Sequence, residues 1–239
     1  MIISAHQPVY LPGIILFNKI ALSDAIVLIG HVQMERTSWQ TRNRIRDNGT
    51  DKEMFLSVPI RKKGRFGQSI NDTEIADQFW QKKHLKSIYF TYKNRPFFDA
   101  YFERLKDLLE REWTHIADLN VALMRAVMDW LGLGARVLDS RGLSPEGEKT
   151  DMLVSLCRSI GAAGYVSNVG AQGYVEEVAF ERAGIKHYWQ DFGHPVYDQG
   201  AVFMPNLSII DLLFNAGPES ADIVQRCGRL SDRKPEARA

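Results

Sequence analysis

Apolar and polar positions alternate along the chain in blocks that a packed α/β protein would need. Residues 1–5 are a short apolar run and read as a buried strand. Over 13–22, Ile14, Phe17, Ile20 and Ala21 fall on one face of a helix. Residues 24–30, DAIVLIG, are continuously apolar and rich in β-branched side chains. Such a run suits a strand covered on both faces, as in a parallel sheet. Strand, helix and strand within thirty residues make a compact βαβ unit.

A polar segment from 35 to 51 precedes a strand at 54–58, which Pro59 ends. The basic stretch 61–67, RKKGRFG, has two glycines and no periodicity, so it reads as an exposed loop. Helical spacing then takes over at 78–92, 98–113 and 116–131. Tyr101, Phe102, Leu105, Leu108 and Leu109 form one stripe, and Leu119, Leu123, Val127 and Trp130 another. After this insertion, about 75–132, the alternation resumes. Strands are expected at 135–140, 164–168 and 185–192, with helices at 150–160, 174–183 and 206–217 and a short one beyond. The pattern predicts an α/β fold, a mainly parallel sheet flanked by helices, with a helical insertion in mid-chain. Residues 1–225 read as one domain and 226–239 as a polar, disordered tail.

Composition narrows the class. The chain has 239 residues and a net charge of +1, so no global field recruits nucleic acid. Two cysteines, Cys157 and Cys227, make neither a disulfide framework nor a paired metal motif. The N-terminus lacks a basic leader followed by a long apolar core, and no run approaches the ~18–20 apolar residues of a membrane span. A cytoplasmic protein without membrane insertion is expected. Nothing in the sequence fixes its oligomeric state.

Ligands of open parallel sheets bind beyond the carboxyl ends of the strands. His6 and Gln7 follow the first expected strand and His31 the second. Ser167 closes a later one, and His194 follows the last. His6 reads as a general acid/base or a hydrogen-bonding partner for a substrate, or else as a pin for its loop. His194 reads first as part of a structured turn. Arg42, Arg44 and Arg46 alternate beside Trp39 and Gln40, so an extended backbone would put the three guanidinium groups on one face, suited to phosphate or carboxylate. The basic stretch 61–67 could close over a phosphate or simply be solvated. Ser208, Asp211 and Asn215 form a polar stripe on an otherwise apolar helix. Asp211 would either orient a basic group or join a buried hydrogen-bond network. No Walker, G-x-S-x-G, G-x-G-x-x-G or zinc motif is present, so neither metal nor cofactor is expected.

Three blocks resemble the WbqC-like family: AHQPVYLPGIILFNKIALSDAIVLIGHVQMERTSWQTRNRI, WQKKHLKSIYFTYKNRPFFDAYF and YWQDFGHPVYDQGAVFMPNLSIIDLLFNAG. They span about residues 2 to 217. The resemblance puts His6, Gln7, Tyr10, Trp39, Gln40, Arg42, Asn43, Gln190, Ser208 and Asp211 at matched motif positions, with Trp80, His84, Tyr92, Tyr197 and Gln199 among the others. The family has Ser-Gly where this chain has Ser167 and Asn168. The resemblance implies an enzyme of bacterial surface-polysaccharide (O-antigen) biosynthesis, a transferase placing an acyl or aminoacyl group on an amino sugar or nucleotide sugar. His6 and Asp211 would then be catalytic. Gln7, Tyr10, His31, Trp39, Gln40, Arg42, Asn43, Arg44, Ser167, Gln190 and Ser208 would bind a small-molecule substrate, with no nucleic acid and no cofactor. Two alternatives stand beside it. The opening topology also resembles nucleotidyltransferases with an H-x-G-H signature, although YLPGIILF has no second histidine. The other alternative is a non-catalytic binding protein of the same pathway.

Overall fold

In the computed structural model, which describes residues 1–35, 38–47, 50 and 52–235, the first strand lies mid-sheet. This strand, β1 (Ile2–His6), is followed by α1 (Ile14–Ala21) and β2 (Ala25–Leu28), which pairs with it in parallel. An antiparallel pair, β3 (Arg42–Arg46) and β4 (Glu53–Ser57), comes next. Three helices follow: α2 (Phe79–Tyr92), α3 (Phe98–Leu109) and α4 (Ile116–Trp130). Then come β5 (Arg136–Asp139), α5 (Lys149–Ser159), β6 (Gly164–Ser167), α6 (Glu177–Arg182) and β7 (Lys186–Phe192). The described chain closes with α7 (Ile209–Ala216), α8 (Ser220–Arg226) and β8 (Gly228–Ser231).

The main sheet has the order β5-β2-β1-β6-β7-β8, parallel except at β8. The chain builds outward from β1 on one side through β2 and β5, then returns to build on the other side through β6 and β7. The topological switch point therefore lies between β1 and β6, and His6 ends β1 there. The fold is α/β, as the alternation implied.

Side-chain alternation along β1 decides which groups can meet. Ile3 and Ala5 join a core layer with Val27, Leu153, Leu156, Cys157 and Phe180, beneath α5 and α6. Ser4 and His6 face the opposite side, where Ile26 and Leu28 join a larger core with Phe17, Ile20, Phe214 and the insertion helices. α7 ends at Gly217, whose φ of +54° and close approach to the Phe97 ring leave no room for a Cβ.

Two expectations need correction. The polar segment contains a strand, β3, which its charged residues concealed. Ile45 and Asn43 point inward, and the arginines are paired or stacked on the far side. The polar tail also contributes structure: Gly228–Ser231 pairs antiparallel with β7 as the sheet's edge strand, and Arg226 still belongs to α8. Residues 236–239 lie outside the described residues.

Candidate functional site

A cavity of about 440 Å³ opens at the carboxyl end of β1, within the size range of small-molecule sites. Its wall contains His6, Gln7, the first turn of α1, Glu35, Trp39, Gln40, Asn43, Arg44, His194 and Asn206. The loop from Pro8 to Pro12 that carries this wall is held tightly. Leu11 adopts φ +41°, a left-handed conformation that costs a non-glycine residue energy. Asn43 answers that strain: its Nδ2 donates to the carbonyls of Tyr10 (3.1 Å) and Leu11 (2.7 Å), and its Oδ1 accepts from the Arg44 amide (2.8 Å). Asn120 of α4, buried within that helix's apolar stripe, donates to Pro8 O and Gln40 O. The helical insertion thus pins both strands of the loop system.

His6 Nδ1 lies 2.8 Å from the Gln7 carbonyl. A carbonyl only accepts, so Nδ1 carries the hydrogen and Nε2 carries the lone pair. Nε2 has no hydrogen-bond partner among the described residues. Burial and the nearby Lys19 charge lower the ring's pKa from 6.5 to about 3, so His6 is neutral across the physiological range. Lys19 is itself buried, its Nζ donating to Ala5 O at 2.9 Å, and burial pulls its pKa down to about 7. Beside His6, Gln40 Nε2 donates to Gln7 Oε1, and Gln40 Oε1 is buried without a donor among the described residues. The acceptor that the pocket wall presents without a donor is His6 Nε2.

Anion-receptive features share the wall. α1 has no side-chain cap and no acid in its first turn, and residues 13–16 line the cavity. The positive end of its dipole therefore lies at the cavity wall. Arg44 donates to Asn206 O and pairs with Glu53 at 2.8 Å, while its guanidinium lies 5.7 Å from the Trp39 ring. Trp39 is 48% exposed, with the Phe55 ring 6.2 Å away, and its exposed part adds aromatic surface to the wall. His194 is a wall pin rather than a reacting group. Its Nδ1 bonds Pro195 O and its Nε2 accepts from the Asn206 amide.

The structure thus gathers His6, Gln7, Trp39, Gln40, Asn43 and Arg44 from the residues singled out by sequence. Arg42 stacks over Phe55 at 4.6 Å and does not line the cavity. Tyr10 is fully buried, bonding His84 Nδ1 at 2.9 Å next to Trp80. Gln190 lies under α1, donating to Ile15 O and Asn18 Oδ1. Ser208 pairs its backbone with Gly13 and donates its amide to Arg44 O, stitching the pocket wall from behind. Asp211 accepts from Tyr92 (2.9 Å) and Tyr197 (2.8 Å) in the core, and it has no hydrogen bond to a histidine among the described residues. It belongs to the buried network its polar stripe allowed. Ser167 bonds His187 at 2.8 Å on the α5–α6 face of the sheet, opposite His6. His31 bonds Ser140 at 2.7 Å and contacts Met152 on that same side.

Glu35, Ser38, Asn206 and the α1 backbone are wall elements that sequence reasoning passed over. Only fold topology could have flagged the helix terminus, because it lies just after the switch-point strand. The basic loop lines a neighbouring cavity of about 990 Å³, with Glu35 common to both. Arg61 and Arg65 are tied to Glu74, and Phe66 is 91% exposed. Burial pushes the Cys157 thiol up to about 12, so it is no nucleophile. Among the described residues no metal-binding group of His, Cys, Asp and Glu gathers, and no helix is long and apolar enough to cross a membrane.

An α/β protein with a pocket of mixed polar and apolar lining at the switch point of its sheet is a class with many functions, and comparison with known proteins narrows it. The WbqC-like protein family model matches residues 7–223, and the chain belongs to that family. It is also 33% identical over 224 residues to an uncharacterized protein of Mycobacterium tuberculosis, Rv1507c, covering 92% of this chain and 96% of that one. No solved structure matches.

Proposed function

We propose that the chain is a transferase of bacterial surface-polysaccharide biosynthesis, which moves an acyl or aminoacyl group onto the amine of an amino sugar or nucleotide sugar held in the His6 pocket. The supporting observation is His6 Nε2, a lone pair with no donor among the described residues, beside a helix N-terminus with no acid of its own. An amine supplies the donor that Nε2 lacks. A phosphate or carboxylate on the same substrate would sit at the α1 terminus, with Arg44 alongside and Trp39 against a ring.

In the reaction, the amine nitrogen attacks the carbonyl carbon of an activated ester or thioester. The bond from that carbon to the leaving oxygen or sulfur breaks, and the nitrogen gives up one proton. His6 Nε2 receives the proton and passes it to the leaving group. An anionic substrate nearby raises the ring's pKa toward its ordinary range, which suits this relay. Asp211 has no part in the step.

The test is mass spectrometry of nucleotide-activated amino sugars incubated with the protein and acyl or aminoacyl donors. The expected product is heavier by one acyl group, and His6→Ala slows its formation by about 100-fold or more. Pyrophosphate release from a nucleoside triphosphate in the absence of any acyl donor would instead favour nucleotidyl transfer. Unchanged turnover in His6→Ala overturns the assignment of the relay.

A further inference from the structure

The outward face of α2 has an unusual composition. Its exposed positions, counted through the residue that follows the helix, are Phe79, Lys82, Lys83, Lys86, Tyr89, Phe90 and Lys93. All are lysine or aromatic, and no acidic residue occurs between Phe79 and Lys93. At 3.6 residues per turn the seven fall within an arc of about 120°. Trp80, His84, Ile88 and Tyr92 occupy the opposite face and are buried in the body of the protein. Phe79 is 80% exposed and Phe90 44%, large apolar areas that the fold leaves in water. The Lys93 ammonium lies 5.7 Å from the Tyr89 ring and 5.4 Å from the Phe90 ring, so charge and aromatic surface are interleaved. The nearest acids are off this face. Asp77 accepts from the Phe79 amide at the helix start, and Glu103 and Glu110 line the groove from α3, where Lys106 pairs with Glu103 at 3.2 Å.

We propose that this face of α2 docks the protein peripherally on an anionic lipid surface. Lysines on long aliphatic stems reach headgroup phosphates while their stems lie along apolar surface. Phenylalanine and tyrosine at the same level enter the headgroup boundary, the arrangement of interfacial helices. With a net charge of +1 on the whole chain, the attraction comes from local patches such as this one rather than from a global field. A single-stranded nucleic acid fits it less well. Its exposed cations are all lysine, without the planar arginine forks that stack on bases. The inference is independent of the chemistry proposed for the His6 pocket.

Co-sedimentation of the full chain with vesicles tests it. Phosphatidylcholine vesicles containing roughly a third phosphatidylglycerol should pellet the protein, pure phosphatidylcholine vesicles should not, and added salt should release it. The triple variant Lys82→Glu/Lys83→Glu/Lys86→Glu should abolish pelleting. Phe79→Ala/Phe90→Ala should weaken it several-fold. All five positions are exposed, and unchanged melting temperatures would show that the fold is kept. Failure to pellet with anionic vesicles, equal pelleting with neutral ones, or pelleting that survives the triple charge reversal would each overturn the proposal. So would tighter, variant-sensitive binding of an oligouridine than of the vesicles.

Discussion

The Lys19 ammonium donates to the carbonyl of Ala5, one residue before His6, and its charge opposes protonation of the His6 ring. The two groups form a buried pair that resists holding two protons at once. Replacing Lys19 with methionine keeps the stem and removes the charge. Nitrogen-15 imidazole spectra of the wild type should show His6 titrating near pH 3. In Lys19→Met the midpoint should rise, and the neutral form should keep its hydrogen on Nδ1. An unchanged midpoint would mean that burial alone sets it.

The same pair makes stability depend on pH in two windows. His6 falls from 6.5 to about 3 on folding, so between those values the unfolded chain binds more protons and stability rises with pH. Lys19 falls from 10.5 to about 7, so stability should rise again across that alkaline window. Each group contributes a slope of at most about 1.4 kcal/mol per pH unit inside its window, the partly exposed His6 less than the buried Lys19. Urea unfolding at a series of pH values should show both slopes, and Lys19→Met should lose the alkaline one while keeping the acid one.

Asp211 separates a buried network from catalysis. Burial raises the pKa of its carboxyl above the ordinary range, and its hydrogen bonds from Tyr197 and Tyr92 and the nearby Arg46 and Arg95 charges offset part of that rise. Asparagine at this position offers one acceptor oxygen and no charge, so one phenol and the nearby arginines lose compensation. Asp211→Asn should destabilise the protein by roughly 2–4 kcal/mol. Below its melting temperature, ligand affinity in the His6 pocket should stay within a few-fold of wild type. A large loss of affinity in a fully folded variant would return Asp211 to the site.

How much of this was legible in the sequence depends on the distance over which the information is encoded. β1, α1 and β2 were readable because an unbroken apolar run means burial on both faces of a parallel strand. That reading also located His6, since the switch point follows from the chain's order. Arg42–Arg46 was not readable as a strand, because Glu53, Phe55, Gln199 and Asn206 satisfy its charges from distant positions. Ser167 and His31 were misplaced for a different reason. The carboxyl edge of a sheet has two sides, and the side a residue faces depends on registers that only the assembled strands reveal. Motif residues such as Tyr10, Gln190 and Ser208 are buried supports of the wall, a role that a sequence pattern does not distinguish from contact with substrate.

Asn43 offers the sharpest test of how the wall is held. Both its amide hydrogens are committed to the carbonyls of Tyr10 and Leu11, the second of which belongs to a residue in a strained conformation. Asn43→Ala leaves those carbonyls without donors and should cost about 2–3 kcal/mol in urea unfolding. Asn43→Asp is nearly the same shape but cannot donate when ionised, and its charge would face two carbonyl oxygens. It should therefore be less stable than Asn43→Ala at neutral pH. Protonation restores one donor, so the carboxyl should titrate above its ordinary range in the folded state. The aspartate variant should then recover stability relative to alanine as the pH falls through that raised value. If alanine and aspartate unfold alike at every pH, Asn43 does not hold the loop through its amide hydrogens.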